Sequence, residues 1–456
     1  MKPTDFVASI RRSQASWQPV VRSLLDVDFY KFTMGLFIYK LYRGVTVKFS
    51  LINRHVKIPL AKIVSEADLR RELDHVRTLK LRRTDIIWLR GQDYYGSNLF
   101  PDDYLKFLSE LQLCEYKIVR NGDQFFLDFE GPWEVVTFWE TIALAIISEL
   151  FYRKLMENMS DEEIEILYAN ASNKLYYKLC ALKRHDSIMF ADFGQRRRHS
   201  FLWQKYAIEM SKEVMGSRFT GTSNAWMSFN QDIAAIGTNA HELPMVLTAL
   251  ANSDQEMIDA QYEVIRKWYK IFDRGGLRVL LPDTYGSAQF FANMPNDVAL
   301  EVAHKWRGPR LDSGDPIVEG NEYLKWLDSF GIDPIKEGKV IIPSDGLDVD
   351  SMIRIDEEFR GRIAHPFGWG TKLTNDFEGC HPRGEEEAVV NGEKLGLSWG
   401  ELFKGHSIVC KVTSANGRPA VKLSNNLNKA TGPKGKIARH IKVFGSRGRI
   451  TQEVVV

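Results

Sequence analysis

The sequence has few cysteines, no zinc signature and almost no net charge, and each absence argues against a class of protein. Its four cysteines, Cys114, Cys180, Cys380 and Cys410, lie far apart and form no CxxC pair. This pattern is typical of reduced thiols in a cytosolic protein. The 61 basic and 59 acidic residues leave a formal net charge of +2, so we expect no nucleic-acid partner. Any anion must be bound locally, by clustered Arg, Lys and backbone amide groups.

Long apolar runs are also lacking. No apolar stretch follows the charged N-terminal residues, so no signal peptide is predicted. Residues 133–155 are the most apolar stretch, but Glu134, Glu140 and Glu149 interrupt it. It never reaches the roughly 20 apolar residues of a membrane span. We expect a buried core helix here, no membrane contact, and a cytoplasmic protein.

The chain does contain enough apolar residues for a large core, since 44% of its 456 residues are hydrophobic and 12% are aromatic. This length predicts more than one domain. Residues 1–150 predict an N-terminal α/β domain, joined by C-terminal segments, with helices at 28–42 and 65–79 and a strand at 46–52. Residues 151–376 predict an α/β barrel catalytic domain, and residues 377–456 a loop-rich segment with a basic tail.

Between residues 187 and 370, short apolar runs end in small or acidic residues, and helical stretches follow most of them. Strands that alternate with helices predict a parallel sheet, and about seven such units in series favour an irregular parallel α/β barrel. The active site of a parallel α/β barrel lies at the carboxyl ends of its strands. The predicted strands lie at 188–190, 219, 234–236, 279–281, 310–311, 340–342 and 363–367.

The C-terminal part of the sequence contains fewer patterns that predict structure. Residues 378–399 are polar and match no motif, whereas 408–412 and 420–423 resemble a hairpin around Asn416-Gly417. The basic residues after Gly432 predict a solvated extension.

Two strand ends combine arginine with acidic residues. Residues 192–198 place three consecutive arginines beside Asp192 and Phe193. Arginine suits carboxylates and phosphates, and an aromatic ring can stack on a flat substrate. Residues 310–315 place Arg310 beside two carboxylates, which near phosphates usually act through Mg²⁺. The alternatives are a solvated basic turn for the first string and a capped helix start for the second.

Other strand ends are rich in small residues, at 221–224, 344–346 and 368–371. Their backbone N–H groups can approach phosphate oxygens. None has the Walker A or the G-x-G-x-x-G spacing, so P-loop and Rossmann folds are disfavoured. His241, within residues 237–242, could attack a phosphoryl group, with Glu242 or another carboxylate orienting its ring. The alternative is a structural histidine.

Taken together, these strings resemble the nicotinate phosphoribosyltransferase family, which is related to nicotinamide and quinolinate phosphoribosyltransferases. The resemblance runs from residues 24–31 to residues 422–424. It implies an N-terminal α/β domain packed on an irregular α/β barrel. It also implies that nicotinate and phosphoribosyl pyrophosphate give nicotinate mononucleotide and pyrophosphate, with Mg²⁺ as cofactor. ATP hydrolysis is coupled to this reaction through a phosphohistidine, and the matching position is His241.

The resemblance also implies roles for single residues. Arg310 and Asp312 join His241 as catalytic residues, and Mg²⁺ is bound through pyrophosphate near Asp312 or Asp315 rather than by direct protein ligands. In dimeric relatives the segment that resembles residues 28–31 comes from the neighbouring subunit, which implies a homodimer with shared sites. The substrate-binding positions are Tyr30, Phe193, Arg196, Thr222, Ser223, Ser344, Asp345, Gly370 and Thr371.

Among these roles, Phe193 would stack on the pyridine ring, and Tyr30 would complete the aromatic sandwich across the dimer interface. Arg196 and Arg310 would meet the substrate carboxylate or the phosphates. Ser344, Asp345, Gly370 and Thr371 would cradle the 5′-phosphate, and Asp312 would help to hold ribose or Mg-pyrophosphate.

Ser223 bears on the choice of substrate. Relatives that use nicotinamide have Asp after the Gly-Thr pair, where it accepts a hydrogen bond from the amide. A hydroxyl at this position can instead donate to a carboxylate, so nicotinate is favoured. The alternatives are a nicotinamide phosphoribosyltransferase, a barrel enzyme acting on a sugar phosphate, or an inactive scaffold.

Overall fold

The computed structural model describes residues 1–53, 57–93, 98–272, 275–405 and 407–445. Among them the strands are β1 (Thr46–Asn53), β2 (Tyr116–Asn121), β3 (Gln124–Pro132), β4 (Phe190–Asp192), β5 (Phe219–Thr222), β6 (Val279–Leu280), β7 (Gly308–Leu311), β8 (Ile342–Pro343), β9 (Phe367–Trp369), β10 (Glu387–Val390), β11 (Glu393–Ser398), β12 (Ile408–Ala415) and β13 (Arg418–Pro419).

The α-helices of the same residues are α1 (Pro3–Ala15), α2 (Tyr30–Leu41), α3 (Leu60–Ile63), α4 (Glu66–Thr78), α5 (Arg83–Arg90), α6 (Asp102–Glu110), α7 (Trp133–Val136), α8 (Trp139–Met156), α9 (Asp161–Lys183), α10 (Phe201–Met215), α11 (Ala225–Gln231), α12 (Glu242–Leu250), α13 (Asp254–Ile271), α14 (Ser287–Ala292), α15 (Asn296–Lys305), α16 (Pro316–Asp328), α17 (Val349–Phe359), α18 (Thr371–Thr374), α19 (Trp399–Phe403) and α20 (Lys434–Phe444). The helices predicted at 28–42 and 65–79 are α2 and α4, and the strand predicted at 46–52 is β1.

An antiparallel sheet covers the N-terminal part, with strand order β13-β12-β1-β3-β2. Its central strand β1 pairs with β3 on one side and with the C-terminal strand β12 on the other. Val47, Phe49 and Leu51 are buried at alternate positions of β1, as the two-residue period of a strand requires. The C-terminal part of the chain therefore completes the N-terminal sheet.

The apolar stretch around residue 140 forms α7 and α8. Within Trp133–Met156, 94% of an 18-residue apolar window of membrane-spanning length is buried inside the protein. Apolar residues cover nearly the whole circumference of α8, which is typical of a helix enclosed by protein on all sides. The prediction of a buried core helix is confirmed.

Parallel strands lie in two sheets, with orders β5-β4-β9 and β6-β7-β8. Isolated parallel bridges, Thr222↔Ala235 and Val340↔Ala364, extend the pairing beyond them. The fold is mixed α/β with parallel sheets, as predicted. The run at 234–236 is a single bridge rather than a strand.

At that bridge a glycine is required. Gly221 has φ +144°, and a Cβ atom there would lie 2.3 Å from the carbonyl oxygen of Ala234. The absence of a side chain lets the two segments approach and exchange hydrogen bonds through Thr222. This contact positions residues 222–224, which begin the site.

Up to residue 445, the segment after Gly432 differs from the expectation of a solvated extension, whereas residues 446–456 of that prediction lie outside the described residues. Residues Lys434–Phe444 form α20, whose Phe444 ring stacks on Tyr285 at 4.2 Å between centroids. Its apolar residues pack with Val421 and Leu423 into a small second core. The basic residues suggested full solvation, but Lys434, Lys436, Arg439 and Lys442 lie on the exposed face of an amphipathic helix whose other face is apolar.

Candidate active site

The carboxyl ends of β6, β7 and β8 converge on His241, the residue before α12. Nε2 of His241 lies 2.9 Å from Oδ2 of Asp312, which follows β7. Nδ1 lies 2.9 Å from the Thr284 hydroxyl, beyond β6. Ser344, after β8, donates a hydrogen bond to the other oxygen of Asp312 at 2.9 Å. Three strand ends that are far apart in sequence thus hold one imidazole ring.

The ring is kept neutral. Burial and the ammonium of Lys422, 2.9 Å from Nε2, lower the pKa of His241 to about 4, although Asp283 and Asp312 oppose the shift. A neutral imidazole has a lone pair on one ring nitrogen, which a nucleophile needs. Asp312 stays ionised, because Arg310, His241 and Lys422 outweigh the effect of burial and hold its pKa well below the usual range.

Sequence reasoning left three of these contacts unassigned. Asp283 lies 3.8 Å from His241, and its Oδ1 accepts no hydrogen bond within the described residues. Thr284 and Lys422 contact the ring directly. Asp283 could have been found as one more acid at a strand end, whereas nothing local in the sequence links Lys422 to His241. Glu242 does not orient the ring, because it binds Lys31 and Trp133, and Asp312 takes that role.

A second polar cluster lies beside the ends of β4 and β5. Arg196 approaches Asp28 at 3.4 Å and Glu140 at 3.8 Å. Lys31 bridges Glu140 and Glu242 at 2.7 and 2.8 Å, and all three are buried. Asp312 is among the charges that raise the pKa of Arg196, so the two clusters act on each other.

The three arginines have separate partners. Arg196 keeps about a third of its side chain exposed (34%), while Arg198 is fully buried in a bidentate pair with Asp26, at 2.7 and 2.8 Å. Arg197 donates to the carbonyl oxygen of Ile408. Of these three arginines, only Arg196 is both partly exposed and part of the second cluster.

Residues 28–31 pack against residues 223–237 of the same chain, and the expected contribution of a neighbouring subunit stays a prediction. Asp28 forms a bridge with Asn224 and accepts a hydrogen bond from Ser223 at 2.5 Å. The backbone of Tyr30 packs so closely on Gly237 that a Cβ there would lie 2.8 Å from the Tyr30 nitrogen. The cause is the buried apolar helix α2, which anchors this segment inside the same chain.

Several predicted site residues are each half-buried: Phe193, Arg196, Arg310, Asp312, Ser344, Asp345, Gly370 and Thr371. Asp345 is paired with Lys429 at 2.6 Å. Gly368 leaves space for the Phe193 ring, since a Cβ there would lie 2.4 Å from it.

Two other predicted residues are engaged elsewhere. The Thr222 hydroxyl is buried and donates to Asp192, so it supports the strand end. Asp315 is exposed and caps α16 by accepting from the Ile317 nitrogen.

A divalent cation fits beside His241 in terms of donor chemistry. His241, Asp283 and Asp312 each offer a ligand atom, all within 4.8 Å of one another. The orphaned Oδ1 of Asp283 and the Asp312 carboxylate are the hard oxygen donors that Mg²⁺ prefers. Lys422 and Arg310 already lie beside the same two carboxylates, which favours a cation that arrives with phosphate.

Arginines, carboxylates, a neutral histidine and small residues at parallel strand ends define an enzyme site for an anionic, phosphate-bearing substrate. Residues 25–148 match the nicotinate phosphoribosyltransferase N-terminal domain, and residues 188–448 match the nicotinate phosphoribosyltransferase (NAPRTase) family.

Solved structures agree. A nicotinate phosphoribosyltransferase from Vibrio cholerae is 26% identical, with a TM-score of 0.78 and 95% of each chain covered. One from Porphyromonas gingivalis is also 26% identical, with a TM-score of 0.75, covering 93% of this chain and 100% of its own. A putative one from Saccharomyces cerevisiae shares the fold at 22% identity, with a TM-score of 0.77, covering 94% of this chain and 99% of its own.

The chain belongs to the nicotinate phosphoribosyltransferase family. It is an enzyme of NAD biosynthesis that acts on small molecules, and the family and the activity predicted from the sequence are confirmed.

Proposed function

We propose that this enzyme couples nicotinate phosphoribosyl transfer to ATP through phosphorylation of His241. The observation that carries the proposal is a buried, neutral imidazole held between Thr284 and Asp312, with Lys422 against it. A ring nitrogen attacks the γ-phosphorus of ATP, ADP leaves, and water later removes the phosphoryl group. Lys422 and Arg310 supply positive charge for the phosphoryl oxygens.

The phosphoribosyl donor binds across the strand ends. Ser344, Asp345, Gly370 and Thr371 hold the 5′-phosphate, and Arg310 and Asp312 lie beside the ribose and pyrophosphate. Transfer breaks the bond from ribose C1 to pyrophosphate and forms a bond from C1 to the pyridine nitrogen. The residues contribute alignment and charge stabilisation. No general base is needed, because the ring nitrogen of nicotinate is unprotonated near neutral pH.

Mg²⁺ is the proposed cofactor, with Asp283 and Asp312 as the residues that would hold it, through pyrophosphate. When bound, it neutralises charge on the leaving pyrophosphate. Asp315 is not proposed to hold Mg²⁺, because it caps α16 by accepting a hydrogen bond from the Ile317 nitrogen.

The pyridine ring is placed beside Phe193, Tyr30, Arg196 and Ser223. Arg196 is more exposed than the neighbouring cations Lys31 and Lys411 and meets the substrate carboxylate. At position 223 an Asp would repel nicotinate, whereas the Ser223 hydroxyl does not, so the acid is favoured over the amide. Because this hydroxyl donates to Asp28, Ser223 influences substrate binding partly through the Asp28 carboxyl.

Three broader proposals complete the assignment. The parallel strands and their bridges form an irregular α/β barrel, in which β9 lies beside β8. The enzyme forms a homodimer in which each chain contains its own site; light scattering tests this state. It works in the cytoplasm.

The decisive experiment is an assay for nicotinate mononucleotide with nicotinate, phosphoribosyl pyrophosphate and Mg²⁺, with and without ATP. We expect product to rise with ATP, and this rise to vanish in His241→Ala. His304→Ala is the control, since His304 is exposed on α15. Retention of the ATP-dependent rise in His241→Ala would contradict the phosphohistidine. Product from nicotinamide alone would contradict the choice of substrate.

A further inference from the structure

Six charged side chains form one connected cluster in the pyridine pocket. Its cations are Lys31, Arg196 and Lys411, and its carboxylates are Asp28, Glu140 and Glu242. If all six are ionised, three positive charges balance three negative ones. The carboxylates are all nearly inaccessible to solvent, with Asp28 only 1% exposed.

Nicotinate disturbs this balance, because it brings one more negative charge into the cluster. An unbalanced buried charge is costly, and a protein group commonly avoids that cost by changing its protonation state. Nicotinamide is neutral and brings no such charge. Binding of nicotinate therefore favours protonation of one carboxylate of the cluster.

Glu140 is a poor candidate. It is approached by Lys31, Lys411 and Arg196, and these cations hold its pKa well below the usual range despite its burial. Glu242 is better but has both oxygens engaged, one by Lys31 and the other by the indole of Trp133. Both oxygens of each of these two residues already have partners.

Asp28 has the required geometry. Its Oδ1 accepts from Ser223 at 2.5 Å, and its Oδ2 accepts no hydrogen bond within the described part of the chain. That oxygen lies 3.4 Å from Nε of Arg196, the cation placed to bind the substrate carboxylate. Burial raises the pKa of Asp28, although Arg196 and Ser223 lower it.

We propose that Asp28 takes up a proton from solvent when nicotinate binds, which frees Arg196 to pair with the substrate carboxylate. The new O–H bond forms on Oδ2, where it can donate to the substrate. With nicotinamide, Asp28 stays ionised and no proton is taken up. Asp28 is thus a specificity-determining residue, and the inference rests on the placement of the pyridine ring beside Arg196 and Ser223.

Other groups act on Asp28 and enter its titration. The charged and titratable side chains that interact with it electrostatically are Arg196, Glu140, Lys31, Tyr30 and Asp192. Of these, burial raises the pKa of Asp192 to about 6, and Thr222, Gly194 and Gln204 bind its carboxylate. Asp192 therefore titrates near the working range, and the test must separate it from Asp28.

The experiment measures proton uptake on nicotinate binding by calorimetry in buffers of different ionisation enthalpy, between about pH 6 and pH 9. Uptake approaching about one proton per site is expected at the pH values between the free and bound pKa of Asp28. In the same window the affinity for nicotinate, and with it kcat/KM, falls as the pH rises from the free pKa of Asp28 to the bound pKa, while the affinity for nicotinamide does not. Wild-type enzyme that takes up no proton at any pH would overturn the proposal.

Asp28→Asn assigns the proton, because Asn has the shape of protonated Asp and cannot titrate. We expect it to abolish proton uptake and to flatten the pH dependence for nicotinate. Asp128→Asn is the matched control, since Asp128 pairs with Lys48 and Ser50 on the N-terminal sheet. Wild-type uptake in Asp28→Asn would overturn the assignment and leave Asp192 as the titrating group.

Ser223→Ala provides a second test of the proposal in case Asp28→Asn does not fold. The Ser223 hydrogen bond lowers the pKa of Asp28, so its loss should move the falling limb of the nicotinate profile to higher pH. A limb that stays in place would contradict the proposal. Formation of nicotinate mononucleotide by the wild type separates these outcomes from a failure of the activity itself.

Discussion

His241 illustrates how its neighbours set the chemistry of a single residue. A free imidazole is half protonated at a pH near its ordinary pKa of about 6.5. Burial and Lys422 lower the pKa of His241 to about 4, so the ring is neutral throughout the physiological range. Protonation of His241 is therefore not expected to limit the ATP-dependent rate until the pH falls toward 4.

Replacement of Lys422 by Met tests this arrangement. Without the ammonium the pKa of His241 rises, so the acid limb of the ATP-dependent rate should move to higher pH. The rate at neutral pH should fall about tenfold or more, as a charge-assisted hydrogen bond is worth about 1.5–3 kcal/mol. The measurement is the pH profile of ATP-stimulated product formation. Lys404→Met, at an exposed lysine paired with Glu378, is the control; a wild-type profile in Lys422→Met would refute the role.

Arg198 has a structural task, although it lies two residues from Arg196. Arg198→Ala leaves the buried Asp26 without its cation, which should cost about 3–5 kcal/mol in the free energy of unfolding. Lys40→Ala, which breaks an exposed pair with Asp103, should cost about 1 kcal/mol or less. Urea denaturation measures both, and equal losses would show that burial of the pair does not matter.

Single residues were predictable from sequence where the chemistry lies in the motif itself. His241, Arg310 and Asp312 stand in recognisable strings, and His241 does contact Asp312. Asp28 and Lys422 also lie inside strings that resemble the family, but their roles depend on partners that are distant in sequence. No local pattern reports such a contact.

At the scale of elements, α20 links the C-terminus to the candidate site. Its Phe444 stacks on Tyr285, the residue after Thr284, which contacts His241. Phe444→Ala should cost about 3–5 kcal/mol of local stability and lower the ATP-dependent rate more than the rate without ATP. Hydrogen exchange across residues 282–286, together with the assay, measures this. Lys442→Ala, on the exposed face of α20, should change neither the exchange nor the ATP-dependent rate. Unaltered exchange in Phe444→Ala would contradict the proposed link between α20 and the site.

Elements with strong local signals were predicted well. The amphipathic and apolar helices were found within a few residues, because their pattern repeats over several turns. The parallel strands are only two to four residues long, too short for a period, and the run at 234–236 formed only a bridge. Acidic and small residues at strand ends were the more useful signal.

On the scale of the whole molecule, the residues proposed to bind the pyridine ring lie together within one chain. Asp28, Tyr30, Arg196 and Ser223 meet without a second copy. Specific activity should therefore stay constant on dilution through any dimer dissociation, measured by assays alongside light scattering. A fall in specific activity that tracks dissociation would show that the partner completes the site.

The alternation of strands and helices revealed the mixed α/β class, but not the pairing of β12 with β1. That pairing joins residues at opposite ends of the sequence, and strands do not encode their partners locally. The pairing also has a consequence for synthesis. Because a chain emerges from the ribosome N-terminus first, β1 cannot pair with β12 until almost the whole protein has been synthesised. A chain released early would lack both β12 and the lysine beside His241, so truncated products should be inactive and open to proteolysis rather than partly functional.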